Sequence, residues 1–214
     1  MPAVIFDFDG LMIDSESEVA ACILDVLADR GIVVEMSDVG HLFGSTDVAA
    51  EWDRWLASLG PHSLTFLQLE QAVNAVLPDR LRRLPLLPGV AEVLDAAHAA
   101  RWQTAIATGQ RRPALDEHLA RLGLTGQFDE IVTRAEVEHG KPAPDIFLEA
   151  ADRLGSIPAD CLVLEDSLPG CLAALAAGMR VTVCPSRVSA GCAFPAEAAR
   201  VASLTEVHLV PTRG

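Results

Sequence analysis

Val4-Ile5-Phe6-Asp7-Phe8-Asp9-Gly10, near the N-terminus, decides the reading of the whole chain. Three apolar residues run into two aspartates that flank one phenylalanine, and a glycine follows at once. Such a run predicts a buried strand that ends in acid. Residues i and i+2 of a strand share a face, so Asp7 and Asp9 are placed to look into one crevice. Two carboxylates that close repel and need compensation. A hard divalent cation supplies it well, because Mg²⁺ prefers oxygen ligands and takes only one or two carboxylates, leaving room for water and a phosphate. The competing reading is an ordinary Asp-Gly turn after a strand, and the motif alone does not separate the two.

Working outward, apolar runs rich in β-branched residues predict strands at 3–6, 104–107, 130–133, 162–164 and 181–184. Residues 92–101, 113–122, 145–154 and 168–177 have the alanine and leucine spacing of helices, and Gly123, Gly155 and Gly178 stand just past three of them as C-terminal caps. This alternation predicts an α/β fold with a parallel sheet covered on both faces, where ligands bind beyond the carboxyl ends of the strands. Residues 15–84 break the alternation. They show no strand pattern but carry amphipathic segments at 18–29, 47–58 and 64–81, and Pro85, Pro88 and Gly89 mark the return to the core. The expected division is a core of residues 1–14 and 85–214 and a helical insertion of residues 15–84, placed to act as a lid over the acidic strand. A short helix is expected within 195–202.

Composition narrows the classes. Half of the 214 residues are hydrophobic and 21% are charged, globular proportions that exclude disorder and collagen-like repeats. No apolar run reaches the ~18 residues of a membrane span and the start lacks the basic residues of a signal peptide, so a soluble cytoplasmic protein is expected, without a membrane partner. The net charge of −14 and the lack of a basic stretch exclude a general nucleic-acid binder. Cys22, Cys161, Cys171, Cys184 and Cys192 are scattered and never form a Cys-x-x-Cys pair, as expected of buried free thiols. Among sixteen basic residues fifteen are arginine, and Lys141 is the single lysine. A compact ammonium reaches a phosphate or carboxylate in a confined site where the wider guanidinium does not fit.

Three more predicted strand ends carry polar groups. Thr108, Gly109 and Gln110 follow the second strand, a hydroxyl and backbone N–H groups suited to a phosphate oxygen. Gly140-Lys141-Pro142-Ala143-Pro144-Asp145 presents the lysine between prolines that stiffen the backbone. Glu165, Asp166 and Ser167 form a second acidic strand end. Each piece alone reads equally as a turn, a helix cap or solvated charge. In this order, they supply a nucleophile, an anion cradle and a divalent-metal site at one sheet edge.

With these motifs the chain resembles the haloacid dehalogenase-like superfamily, in its phosphatase and β-phosphoglucomutase-like branch. The resemblance covers nearly the whole chain and rests on Asp7-Phe8-Asp9-Gly10 with Asp14-Ser15, Thr108-Gly109, residues 140–145, and Glu165-Asp166-Ser167 with Gly170 and Ala177-Gly178-Met179 beyond. It implies a Rossmann-like three-layer α/β/α core with a parallel sheet and an inserted α-helical cap. It also implies that Asp7 attacks phosphorus to form an aspartyl phosphate, and that Asp9 protonates the leaving oxygen and then deprotonates water. Mg²⁺ would be held by Asp7, the Asp9 backbone carbonyl and Asp166, with Glu165 direct or through water. Thr108, Gly109 and Lys141 would hold the phosphoryl oxygens, with Gly10 and Gln110 beside them.

Within the family, hydrolytic dehalogenases lack the second aspartate, and phosphonate-cleaving relatives use a cap lysine that this chain lacks. Phosphosugar mutases carry a histidine where Val19 aligns and an arginine near Asp47. The expected activity is a Mg²⁺-dependent phosphatase for a small phosphorylated metabolite, a sugar or polyol phosphate. A β-phosphoglucomutase-like mutase is the alternative, and a non-catalytic metabolite-binding module is a third reading. Glu16, His41, Ser45, Thr46 and Trp52 are the cap candidates for recognising hydroxyls, although a tryptophan on an amphipathic helix also reads as core. Arg54, Arg80, Arg82 and Arg83 are further candidates for a distal phosphate, or exposed helix charges. A monomer is expected, with a dimer left open.

Overall fold

The computed structural model describes residues 1–40, 42, 48–60 and 64–209. They form two compact units, one of Met1–Asp14 with Pro85–Gly214 and one of Ser15–Leu84. The first unit is built on a six-stranded parallel sheet of β1 (Ala3–Phe6), β2 (Gln103–Thr108), β3 (Glu130–Thr133), β4 (Cys161–Glu165), β5 (Arg180–Val183) and β6 (Ala199–Arg200), in the order β3-β2-β1-β4-β5-β6. Among its described residues the second unit holds four helices, α1 (Ser15–Ala28), α2 (Met36–Gly40), α3 (Val48–Ser58) and α4 (Phe66–Leu81). The helices of the sheet unit are α5 (Val90–Ala99), α6 (Arg112–Leu122), α7 (Asp145–Arg153) and α8 (Leu168–Ala176).

Strand β1 lies between β2 and β4. The order steps one way from β1 to β3 and the other way from β4 outward, so the chain reverses direction at the β1/β4 pair. That is the topological switch point at which open α/β sheets bind ligands. On one face, α7 and α8 bury Phe147, Ala150, Cys171 and Ala174 against Ile5, Ala105, Val163 and Val181. Strand residues on both faces are buried, which is why these strands read as unbroken apolar runs rather than alternating ones. Gly123, Gly155 and Gly178 all take left-handed φ just past their helices, as C-terminal caps require.

The tail differs from expectation. Residues 195–202 form no helix; Ala199 and Arg200 pair instead with Thr182 and Val183 as the edge strand β6. The segment is rich in helix formers but too short to hold a helix without burying a face. The unpaired backbone edge of β5 captures it as a strand. Strands β2 and β4 also run one residue further than predicted, which makes Thr108 and Glu165 their final residues. Cys22, Cys161 and Cys171 are buried free thiols, whereas Cys184 and Cys192 are free but only half-buried.

In the helical unit, Thr65 and Gln68 form a reciprocal capping box that starts α4. Trp52 is 4% exposed and packs edge-on against Trp55, so it serves the apolar interior of this unit. Arg80 is bound by Glu18 and Asp25 of α1, and Arg82 by Asp79. His41, Ser45, Thr46 and Asp47 lie outside the described residues. Among the described residues, no helix is long and apolar enough to cross a membrane.

One ionic joint ties β3 to α7, at the foot of the loop that carries Lys141. Glu136 accepts from the Thr133 N–H and hydroxyl, each at 2.7 Å, and from Arg153 Nη1 at 2.8 Å. Burial works against its ionisation, but the Thr133 hydroxyl and Arg153 hold Glu136 down to about 2 from an ordinary 4.5. A carboxylate depressed in the folded state stabilises above its unfolded value and loses that contribution as pH falls through its folded value. Glu136→Gln is expected to cost about 1–2 kcal/mol at pH 7, after allowance for solvent screening. In denaturant titrations the gap to wild type should shrink steadily from pH 4.5 towards 2. A gap constant down to pH 3 would assign it to packing instead.

Candidate active site

The register of β1 with its neighbours assembles the site. Phe6 pairs with Ile106 and with Leu164, so the next residue, Asp7, stands level with Ala107 and Glu165. The Asp7 N–H extends the ladder to the Leu164 carbonyl at 2.9 Å. Phe8 turns into the core against His118, and the chain then folds tightly, with Met12 N–H on the Phe8 carbonyl and Gly10 N–H on the Ile13 carbonyl. Asp7 is 6% exposed, Glu165 0% and Asp166 1%.

Lys141 binds this acid together. Its ammonium donates to Asp7 Oδ1, to Glu165 Oε1 at 2.6 Å and to the Ala107 carbonyl at 3.1 Å, which uses all three of its protons. It also lies 5.1 Å from the centre of the buried Phe147 ring. Burial alone would depress the Lys141 pKa, but Asp7 and Glu165 raise it and hold the ammonium charged. Burial pushes the Asp7 carboxyl well above the usual range; Lys141 opposes that rise, while Glu165 and Asp9 add to it.

Glu165 is fixed on both oxygens. Besides Lys141 on Oε1, its Oε2 accepts from the N–H groups of Asp166 and Ser167, at 3.0 and 2.9 Å, and from the Ser167 hydroxyl at 2.9 Å. Ser167 in turn caps α8 by accepting from Gly170 N–H. A Cβ at Gly170 would fall 1.7 Å from Glu165 Oε1, so the first turn of α8 has no room for a side chain there.

Oxygens of Asp7, Glu165 and Asp166 lie within 4.8 Å of one another. Three buried carboxylates against one ammonium leave negative charge that solvent reaches poorly. The set offers only hard oxygen donors, and it fits a divalent cation such as Mg²⁺. Gly10 makes the close approach possible. It takes φ +80, and a Cβ there would fall 2.1 Å from Asp166 Oδ2. Gly10→Ala is therefore expected to displace the Asp166 carboxylate and weaken Mn²⁺ binding, followed by titration calorimetry, by about 10–100-fold. Unchanged Mn²⁺ affinity would show that Asp166 is not held by this approach.

Thr108 ends β2 fully buried, and its hydroxyl accepts from the Gln110 N–H at 3.1 Å, which leaves its own proton to donate. Gly109 is exposed, with nothing within 4 Å of where a Cβ would stand. Gln110 reaches back from β2 to Asp9, where its side-chain amide donates to Oδ1 at 2.9 Å. Glu16 lies in the first turn of α1 and belongs to the helical unit. Sequence reading missed one support altogether. The buried Ser189 hydroxyl donates to the Asp166 carbonyl at 2.6 Å and pairs with Ser186, so the segment after β5 braces the acidic turn after β4. The only sequence trace of it is a pair of serines three apart beyond a strand end.

A family model for the haloacid dehalogenase-like hydrolases matches residues 1–178. The chain is 36% identical over 179 residues to the fructose-1-phosphate phosphatase YqaB of Escherichia coli, covering 82% of this chain and 92% of that one. It is 32% identical over 191 residues to hexitol phosphatase B of Escherichia coli, covering 86% and 83%. Among solved structures, CbbY from Rhodobacter sphaeroides in complex with xylulose-(1,5)bisphosphate shares the fold, with a TM-score of 0.73 over 96% of each chain at 24% identity. With the matched region spanning both acidic strand ends and the single lysine, the chain belongs to the haloacid dehalogenase-like hydrolases and is a phosphoric monoester hydrolase.

Proposed function

We propose that the protein is a Mg²⁺-dependent cytoplasmic phosphatase that hydrolyses a small sugar or polyol phosphate through an aspartyl phosphate on Asp7. The observation that carries this reading is the buried union of Asp7, Lys141, Glu165 and Asp166 at the β1/β4 switch point, with Asp9 and Thr108 beside it. The fructose-1-phosphate and hexitol phosphatases among its relatives support the substrate class.

Asp7 Oδ attacks phosphorus as the ester P–O bond breaks, and Asp9 gives its proton to the departing alkoxide. Water then attacks the acyl phosphate, Asp9 takes the water proton, and the bond between phosphorus and Asp7 breaks to release inorganic phosphate. Thr108 and the Gly109 N–H donate to the phosphoryl oxygens, with Gly10 and Gln110 lining the same end of the sheet. Lys141 compensates the nucleophile's charge, and must exchange one of its three acceptors to reach a phosphoryl oxygen as well. Asp7, Asp166 and the Asp9 carbonyl, with Glu165 nearby, would hold the Mg²⁺, which supplies positive charge to the transferring group. Glu16 is assigned to the substrate's hydroxyls.

The test is phosphate release from a panel of phosphorylated sugars, polyols, glycolate and nucleotides, with Mg²⁺ or with EDTA, with products identified. Metal-dependent release concentrated in sugar and polyol phosphates supports the proposal. Isomerisation of β-glucose 1-phosphate with little free phosphate, or silence throughout, overturns it.

A further inference from the structure

Gln110 stands apart from the charged machinery. It is a neutral side chain on the loop after β2, yet its amide crosses to the loop after β1 and donates to Asp9 Oδ1 at 2.9 Å. Its own backbone is anchored, because Gln110 N–H donates to the hydroxyl of fully buried Thr108. A continuous line therefore runs from the end of β2 through Thr108 and Gln110 to the Asp9 carboxylate. An aspartate side chain pivots about two bonds, and a hydrogen bond to one oxygen removes most of the freedom of the second.

We infer that Gln110 is a positioning residue for proton transfer: it holds the Asp9 carboxylate in the rotamer from which it serves the leaving oxygen, rather than contacting substrate itself. This rests on the phosphatase reading above. Proton transfer needs a donor within about 2.6–3.2 Å of its target, and an error of about 1 Å costs on the order of 10²-fold. The residue type suits the task. An amide fixes a carboxylate by a directed hydrogen bond without adding charge beside Asp7, Glu165 and Asp166, where a lysine or arginine would compete with Lys141 for the same acids. Glutamine also has the length, since it bridges two separate loops.

A residue that positions a general acid has a signature that a structural or substrate-binding residue lacks. A leaving group that departs readily as an anion needs little protonation, whereas a sugar alkoxide needs it fully. Loss of Gln110 should therefore slow phosphorylation of Asp7 by alkyl phosphates far more than by aryl phosphates.

The experiment compares wild type with Gln110→Leu and the smaller Gln110→Ala, using the full chain with Mg²⁺. Substrates run from p-nitrophenyl phosphate to the best sugar or polyol phosphate, with kcat and KM measured separately. The expected result is a kcat/KM loss of about 10–100-fold for the alkyl ester and of no more than about threefold for the aryl ester; kcat/KM reports the phosphorylation step alone, so the later attack of water, which Asp9 assists for every ester, does not enter it. Melting curves establish that both variants fold. An equal loss of kcat/KM across leaving groups overturns the inference and leaves the phosphatase standing. A wild type inert toward every ester overturns both.

Discussion

Replacing Asp7 by asparagine is expected to abolish the proposed phosphoenzyme and to lower kcat by about 10⁴-fold or more, because the substitution removes the nucleophile of the proposed covalent mechanism. The amide oxygen is a poor nucleophile because its lone pair is delocalised onto nitrogen. The substitution is otherwise mild. Asparagine keeps an oxygen for the Lys141 ammonium, and its backbone N–H still meets the Leu164 carbonyl. One negative charge also leaves a cluster in which burial and Glu165 already oppose ionisation of Asp7. The variant should therefore melt no lower than wild type in EDTA, a separation of stability from activity common at strained charged sites. Acid quenching during turnover, followed by hydroxylamine trapping, reads the acyl phosphate directly. Acyl phosphate on the variant would move the nucleophile elsewhere, and full turnover without it would replace the covalent route by direct attack of water.

The acidic strand end was legible because it offends against ordinary burial. Apolar residues lead into Asp7 and Asp9, and again into Glu165 and Asp166; either run alone also reads as a turn or solvated charge, and it is their recurrence at two strand ends that points to charge needed at one sheet edge. Lys141 was legible by rarity, as one lysine among fifteen arginines. What sequence could not supply is contact across distance. Gln110 read as one more polar residue near a phosphate, and its bond to Asp9 joins residues 101 positions apart. Ser189 sits in a tail without pattern, and its bond to the Asp166 carbonyl follows from where β5 ends. Strand β6 escaped for a similar reason: two exposed residues have no periodicity of their own, and the open edge of β5 decides their conformation. Glu165 was expected near the metal, yet the structure also gives it a bracing part, with one oxygen on Lys141 and the other on the turn into α8.

That double engagement makes Lys141 the second residue whose loss has a large expected effect. In Lys141→Ala the three buried carboxylates lose their ammonium, and removing one partner of a buried ion pair typically costs about 3–5 kcal/mol because the remaining charge is stranded. The Asp7 carboxyl, already raised by burial, would lose its main opposing influence and become a weaker nucleophile. Activity should fall by at least about 10³-fold, since charge compensation and positioning of the nucleophile fail together. The stability loss should depend on the divalent cation. In EDTA the variant melts well below wild type, whereas Mg²⁺ restores part of the missing positive charge and raises the variant's Tm by more than it raises that of wild type. Lys141→Arg should not rescue activity. The ammonium meets two carboxylates and the Ala107 carbonyl at one point, and a planar guanidinium cannot converge on all three. Thermal melts with EDTA and with Mg²⁺ decide the matter. If Lys141→Ala melts as wild type in EDTA and gains no more from Mg²⁺, the lysine does not compensate the acidic cluster, and its bonds to Asp7 and Glu165 do not hold the site together.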